Sequence, residues 1–213
     1  MPRLKITEIF YSLQGEGKTA GIPTTFIRLT GCPLRYSYCD TTYAFQGGEM
    51  MTVDEVLSVV KRHSTQYVTV TGGEPLAQKT VIDLMVLLLE NDLIVSLETS
   101  GALSLKNVPE NIVKVINVKT PSSGEEAKNL FDNFNFLSSK DQIKFVIGSQ
   151  LDYEWSKKIL IQYQLNSICD VLFSPVASQL SPRTLADWIL QDQLFVRFQI
   201  QLHKVLWGDV PGR

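Results

Sequence analysis

The chain has 213 residues, 44% of them hydrophobic and 20% charged, with a formal net charge of −2. That length supports one sizeable core, and the composition is that of an ordinary soluble globular protein. The charge balance argues against direct partnership with a nucleic-acid duplex or an anionic membrane surface, and no apolar run is long enough to cross a bilayer. The N-terminal MPRLKITEIFYSLQGEG carries no apolar signal core, so a cytoplasmic, reducing location is the expectation. Three cysteines, Cys32, Cys39 and Cys169, are too few and too unevenly spaced for a disulfide framework.

In chain order, residues 24–30 (TTFIRLT) read as a strand and residues 52–63 as a helix. That helix has Thr52 as N-cap, Glu55 at the capping-box position and Val53, Val56, Leu57 and Val60 on one face. A strand at 67–71 (YVTVT) precedes a Leu/Val-rich helix over about 78–90. Strands at 94–99 (IVSLET) and 113–119 (VKVINVK) follow, with a weak helix between about 125 and 135. The pattern continues with a strand at 142–148 (QIKFVIG), a helix near 153–165 and a strand at 170–174. A helix from Ser181 to about Gln191 and a strand at 195–201 complete it. Alternation of this kind implies a mainly parallel sheet covered by helices. About six strand–helix units fall short of the eight of a closed barrel, so the expected fold is α/β, an open, partial β/α barrel. No repeat, low-complexity tract or linker divides the chain, and residues 1–213 read as one domain.

The unusual polar residues gather just after the strands: Cys32 and Cys39, then Gly72-Gly73-Glu74-Pro75, then Glu98-Thr99-Ser100. Lys119, Ser174-Pro175 and His203-Lys204 follow later strands. Parallel strands end on a common rim, where such folds place their sites. A single assembled site explains this repetition better than the general polarity of loops.

Thiolates are the soft ligands that iron–sulfur clusters select. Taken alone, two cysteines seven apart could be idle thiols. A zinc site would need four ligands, and the two histidines, His63 and His203, lie far off in sequence. Cys169 precedes its strand and is expected at the opposite end of the sheet. The segment GCPLRYSYCDT (Gly31 to Thr41) nevertheless resembles the cluster loop of the radical S-adenosylmethionine superfamily, whose CxxxCxxC frame carries a 4Fe–4S cluster. Cys32 and Cys39 stand at its first and third positions, and Tyr36 stands at the second. Phenolate oxygen is a harder donor than thiolate, and tyrosine is bulkier than cysteine, so Tyr36 is a poor replacement. Two readings stay open: an exchange of one residue in an otherwise intact enzyme, or a protein that has left the chemistry behind.

The segments SLQGEG (12–17), FIRLTGC (26–32) and QLHKVLWGDVPGR (201–213) resemble the 7-carboxy-7-deazaguanine synthase family within that superfamily. The resemblance covers essentially the whole chain. It implies a radical ring contraction of 6-carboxy-5,6,7,8-tetrahydropterin with loss of ammonia, an S-adenosyl-L-methionine cofactor and a magnesium ion. It further implies an electron donor such as flavodoxin and a homodimer. For cofactor contacts it points to Tyr38, Cys39, Asp40, Gly72, Gly73, Glu74, Ser100, Lys119 and Ser174; Asn117-Val118-Lys119 departs from the Ser-Pro-Lys of many relatives. For the substrate it points to Leu13, Gln14, Gly15, Glu16, Arg28, Thr71, His203 and Arg213. Cys32 and Cys39 are the implied cluster ligands and Thr41 the implied magnesium ligand. Gln14 and Glu16 suit an aminopyrimidine edge, and Arg28 suits a carboxylate through a bidentate fork. Blander readings stand beside these: a strand-to-helix turn for Gly72-Gly73, a surface turn for residues 14–17, a solvent-facing Arg28 and a helix N-cap for Asp40-Thr41. Rival functions are a glycyl-radical activating enzyme, which has no use for Gln14, Glu16 and Arg28, and a pterin-binding protein without a cluster.

Overall fold

The computed structural model describes residues 2–208, 210 and 212. Nine strands form one sheet in the order β3-β1-β2-β4-β5-β6-β7-β8-β9. They are β1 (Arg3–Leu13), β2 (Pro23–Leu29), β3 (Glu49–Thr52), β4 (Tyr67–Gly72), β5 (Ile94–Thr99), β6 (Val113–Val118), β7 (Gln142–Ile147), β8 (Asp170–Pro175) and β9 (Arg197–Phe198). From β2 onward every pairing across the sheet is parallel, while β1 and β3 extend one edge antiparallel. The sheet is open, with β3 and β9 at its margins.

The helices are α1 (Val53–Val60), α2 (Val81–Leu89), α3 (Gln150–Gln162), α4 (Pro182–Gln191) and α5 (Leu202–Trp207). The start of α1 follows from the expected capping box: Thr52 Oγ1 accepts from Glu55 N (3.2 Å), and Glu55 Oε2 accepts from Thr52 N (2.7 Å). The apolar faces of α1 and α2, with α3 over β7 and α4 over β8, cover the outward positions of the strands, among them Val68, Val70, Leu97, Ile116 and Phe145, all buried. Each fully buried leucine here, such as Leu84 or Leu88, contributes about 2 kcal/mol.

Several expectations change, and β3 is one strand the sequence pattern did not show. Strand β1 is absent from the sequence reading because its register shifts between Ile6 and Glu8, which breaks the period-two pattern that betrays a strand. The weak helix at 125–135 is two short 3₁₀ stretches, Glu126–Lys128 and Phe131–Phe136. Here Asn133 is drawn inward: its amide nitrogen donates to Gly101 O and Leu103 O, and its oxygen accepts from Leu105 N. The strand at 195–201 shrinks to two residues; Gln199 still donates its main-chain N–H to Phe173 O (3.0 Å), while its side-chain oxygen accepts from Gly17 N at 2.8 Å. The segment after it forms α5. Cys169 lies as expected at the end of the sheet away from the cluster loop, beside Asp141 and Asp170, and burial pushes its thiol up to about 12.

Side chains alternate along the parallel strands, so the positions between the core residues share the inner face of the sheet. The pairings set Arg28 beside Thr71, Thr69 beside Ser96, Glu98 beside Val115 and Asn117 beside Lys144. This inner face is polar along five adjacent strands, and it forms the floor of the site.

Candidate active site

A cavity of about 550 Å³ opens over that floor. Its walls are the loop after β1, the cluster loop after β2, the ends of β4 to β7 and the C-terminal segment. Of the residues expected in a site, Leu13, Gln14, Gly15, Glu16, Arg28 and Thr71 all line it. So do Cys32, Tyr38, Cys39, Asp40, Thr41, Gly72, Gly73, Ser100, Lys119 and His203. Glu74 and Ser174 do not; both are buried behind the wall. Arg213 lies outside the described residues.

The two loops at the rim are stitched by backbone bonds. Gly73 N donates to Leu29 O (3.1 Å), Glu74 N to Gly31 O (2.8 Å) and Gly31 N to Ala44 O (2.8 Å). Gly72 has φ +146°, and a Cβ on it or on Gly73 would enter the backbone of Leu29 or Gly31. The paired glycines therefore serve this close approach of two loops. Glu74 turns inward, accepting from Leu76 N (3.1 Å), Thr99 Oγ1 (2.9 Å), Ser100 N (2.8 Å) and Ser100 Oγ (2.5 Å). Its carboxylate clamps the loop after β4 to the end of β5.

In the cluster loop, Cys32 Sγ accepts from Leu34 N at 3.5 Å, and burial pushes its thiol above the ordinary range. The Tyr36 hydroxyl hydrogen-bonds to Cys39. Burial and the neighbouring Cys39 push the phenol far above its ordinary range, so it stays protonated. Its ring lies under the Lys119 ammonium, 4.1 Å from Nζ to the centroid, and tilts against Tyr38 at 5.3 Å. Burial, and Lys144 beside it, bring Lys119 down to about 8. The folded value lies below that of an unfolded lysine, so the unfolded chain binds more protons between about pH 8 and 10.4, and stability rises with pH there. A Lys119→Met variant is expected to lack this rise, a difference on the order of 1 kcal/mol per pH unit. Melting of both chains from pH 7.5 to 9.5 checks it; parallel curves would sink it.

The opposite half of the cavity is a network of charge pairs. Arg28 Nε donates to Glu8 Oε1 at 2.7 Å, and the guanidinium lies over the Phe10 and Tyr43 rings, 5.6 and 5.7 Å from their centroids. The Tyr43 hydroxyl donates to the same Glu8 oxygen at 2.9 Å. Glu8 thus takes up Arg28's Nε, and Arg28 lines the cavity. Gln14 is occupied within the protein: Nε2 donates to Thr69 Oγ1 (3.1 Å) and Glu98 Oε1 (3.3 Å), and Oε1 accepts from Glu16 N (3.3 Å). Thr71 Oγ1 donates to Glu98 Oε2 at 3.2 Å. Glu16 pairs with Lys144. Burial works against the Glu16 carboxylate, but Lys144 outweighs it and holds the group below its ordinary value. Glu98 goes the other way, raised chiefly by burial. Glu98 was expected on the rim but given no role, and Lys144 was missed, although a charged residue inside QIKFVIG, a strand otherwise built for burial, was the available signal.

At the rim Thr41 Oγ1 donates to Asp40 Oδ1 (2.9 Å), and Asp40 Oδ2 faces Lys204 (3.4 Å) and Gln201 Nε2 (3.4 Å). Burial opposes the Asp40 charge, yet Lys204 and Thr41 lower its pKa overall. Leu202 N donates to Gly15 O at 3.0 Å, and a Cβ on Gly15 would strike the His203 ring. Glycine at 15 is what lets α5 close on the loop after β1. Burial keeps His203 below its ordinary value.

A model of the radical SAM superfamily matches residues 26–130, the span holding both rim loops. Over 98% of its length the chain is 42% identical to a 7-carboxy-7-deazaguanine synthase of Chlorobaculum tepidum, covering 97% of that protein. A second such synthase, from Koribacter versatilis, is 40% identical over 96% of this chain and 97% of its own. The chain belongs to the 7-carboxy-7-deazaguanine synthase family. Its fold also matches the crystal structure of QueE from Escherichia coli, with a TM-score of 0.78, 24% identity, and coverage of 94% of this chain and 95% of that one. Streptococcus suis SuiB bound to its precursor peptide SuiA shares the fold more distantly, at TM-score 0.60 and 15% identity over 83% of this chain and 48% of that one. The architecture is thus the partial β/α barrel of radical SAM enzymes. The family's cofactors are a 4Fe–4S cluster and S-adenosyl-L-methionine.

The donor set of this chain is one thiolate short for that cluster. Cys32 and Cys39 supply two, and the second position of the frame holds a phenol that keeps its proton and bonds to Cys39. Among the described residues no group of three or more histidine, cysteine or acidic side chains is arranged to hold a metal ion. The residues present do not fit a three-thiolate cluster.

Proposed function

We propose that the cavity is the 6-carboxy-5,6,7,8-tetrahydropterin site of a 7-carboxy-7-deazaguanine synthase, a carbon–nitrogen lyase of queuosine biosynthesis. The observation that carries this is the guanidinium of Arg28, held by Glu8 and set over the Phe10 and Tyr43 rings at the cavity wall. It is a fixed fork for a carboxylate, set in the same cavity as a charged pair suited to a pyrimidine edge. Phe10 and Phe26, stacked at 4.9 Å, supply an aromatic wall beside it. In the family the cluster and S-adenosyl-L-methionine supply the radical. The residues of this chain bind and orient the ring and exclude water with α5. A glycyl-radical activating enzyme would have no need of this enclosed, carboxylate-reading pocket.

In this reading, residues 1–213 form one radical SAM domain with an N-terminal substrate segment and a C-terminal lid. Thr41, beside Asp40, would hold magnesium through hard oxygen donors. A flavodoxin-type protein would deliver the electron in the cytoplasm. A second copy of the chain would cover the apolar margin of the sheet, where Phe195 and Leu190 stand exposed. No helix among the described residues is long and apolar enough to cross a membrane.

Calorimetric binding of 6-carboxypterin tests the site without any need for a cluster. Arg28→Ala is expected to weaken it by about 30-fold or more, the loss of a charge-assisted pair worth about 2 kcal/mol or above. Equal affinity for both chains would remove the carboxylate assignment.

A further inference from the structure

Lys144 is a buried cation that the reading above leaves without a task. It stands on the inner face of β7, opposite Asn117 of β6, 8% exposed, and lines the cavity. Its ammonium bonds to Glu16 Oε2. Glu16 is itself fixed by its main-chain N–H on Gln14 Oε1, and Gln14 by Thr69 and Glu98. The pair is therefore placed by three strands and one loop before any ligand arrives.

An ammonium carries three N–H donors, of which Glu16 takes one; a carboxylate can accept on both oxygens, and Lys144 engages Oε2. The cavity is thus offered a donor and an acceptor side by side. A 2-amino-4-oxo pyrimidine edge has the complementary order, an oxo acceptor next to a ring N–H and an amino donor. A 2,4-diamino ring puts N–H groups where the oxo oxygen would be, and these would face the ammonium.

We propose that Lys144 selects the 4-oxo form of the pyrimidine ring, its ammonium donating to the oxo oxygen while Glu16 accepts from the neighbouring N–H groups. The proposal rests on the cavity being a pterin site. Lys144 is a cation throughout the neutral range. Burial acts against its charge, but Glu16, Glu98 of β5 and Asp40 of the cluster loop outweigh burial and raise its pKa. Other charged or titratable groups near it are Lys119 of β6, His203 of α5 and Tyr38 of the cluster loop.

The test compares dissociation constants for 6-carboxypterin and its 2,4-diamino counterpart, with the natural chain and with Lys144→Met, Lys144→Gln and Lys144→Arg. The natural chain is expected to favour the oxo compound by about tenfold or more, the scale set by one buried donor left facing another. Methionine removes the donor, and the glutamine amide can flip to accept from an amino group, so either variant brings the preference within about threefold. Arginine keeps the donor and retains most of the preference. Should Lys144→Met fail to fold, as its melt would show, Lys144→Gln carries the same comparison. Undiminished oxo preference in a folded Met or Gln variant overturns the proposal while leaving the pterin site standing. If the natural chain binds neither compound, the pterin site itself falls, and the selection with it.

Discussion

Replacing Tyr36 by cysteine is expected to turn a chain that takes up little iron into one carrying about four irons and four sulfides after anaerobic reconstitution. The reason lies in the donor set. Cys32 and Cys39 are already placed at the cavity, and the loop carrying them is held by Gly31 N on Ala44 O and by Glu74 N on Gly31 O. Only the second position lacks a thiolate. A phenol there is a hard donor, and burial and Cys39 hold its proton in place. The substitution also removes a ring that packs under Lys119 and hydrogen-bonds to Cys39, which opens the space a cluster would need. Visible absorption and iron and sulfide content read the first effect. Production of 7-carboxy-7-deazaguanine with S-adenosyl-L-methionine and a reductant reads the second, and it is expected in the cysteine variant alone. A cluster of full stoichiometry in the natural chain would show that another group serves as third ligand. Absence of iron from both would place the defect beyond residue 36.

Glu74→Ala is expected to destabilise the fold by about 3–5 kcal/mol, the cost of breaking a buried charged network. For a chain of this size that is a fall of roughly 10 °C in melting temperature. Glu74 has no exposed surface, and two main-chain N–H groups and two hydroxyls depend on it. Without the carboxylate those donors stay buried and unpaired, at about 1–3 kcal/mol each before relaxation. Glu74→Gln keeps the shape and one strong acceptor, so its fall is expected to be smaller. Calorimetric melts order the three chains, and hydrogen exchange at residues 72–76 and 99–101 localises the loosening. A melt for Glu74→Ala within about 2 °C of the natural chain would mean that the clamp is dispensable.

The parallel strands were legible because apolar core positions alternate with polar ones facing the cavity, and α1 because its capping box is a local bond pattern. The cluster loop and the Gly72-Gly73-Glu74-Pro75 loop were legible as motifs, since their residue types are rare at that spacing. What these residues do was less so. Gly72 and Gly73 make room for the backbone of Leu29 and Gly31, and Glu74 faces away from the cavity. The bulged strand β1 hid Glu8, and with it the group that aligns Arg28.

By itself, the sequence determined the fold class, the rim on which the site stands, the family and the missing thiolate, because each rests on local periodicity or on residues close together in the chain. Only the tertiary structure decided the partners: Glu8 for Arg28, Glu98 for Gln14 and Lys144 for Glu16, which lie 20, 84 and 128 residues apart. Pairs so distant leave no spacing to read, since the register of neighbouring strands, rather than distance along the chain, brings a buried charge to the group that stabilises it.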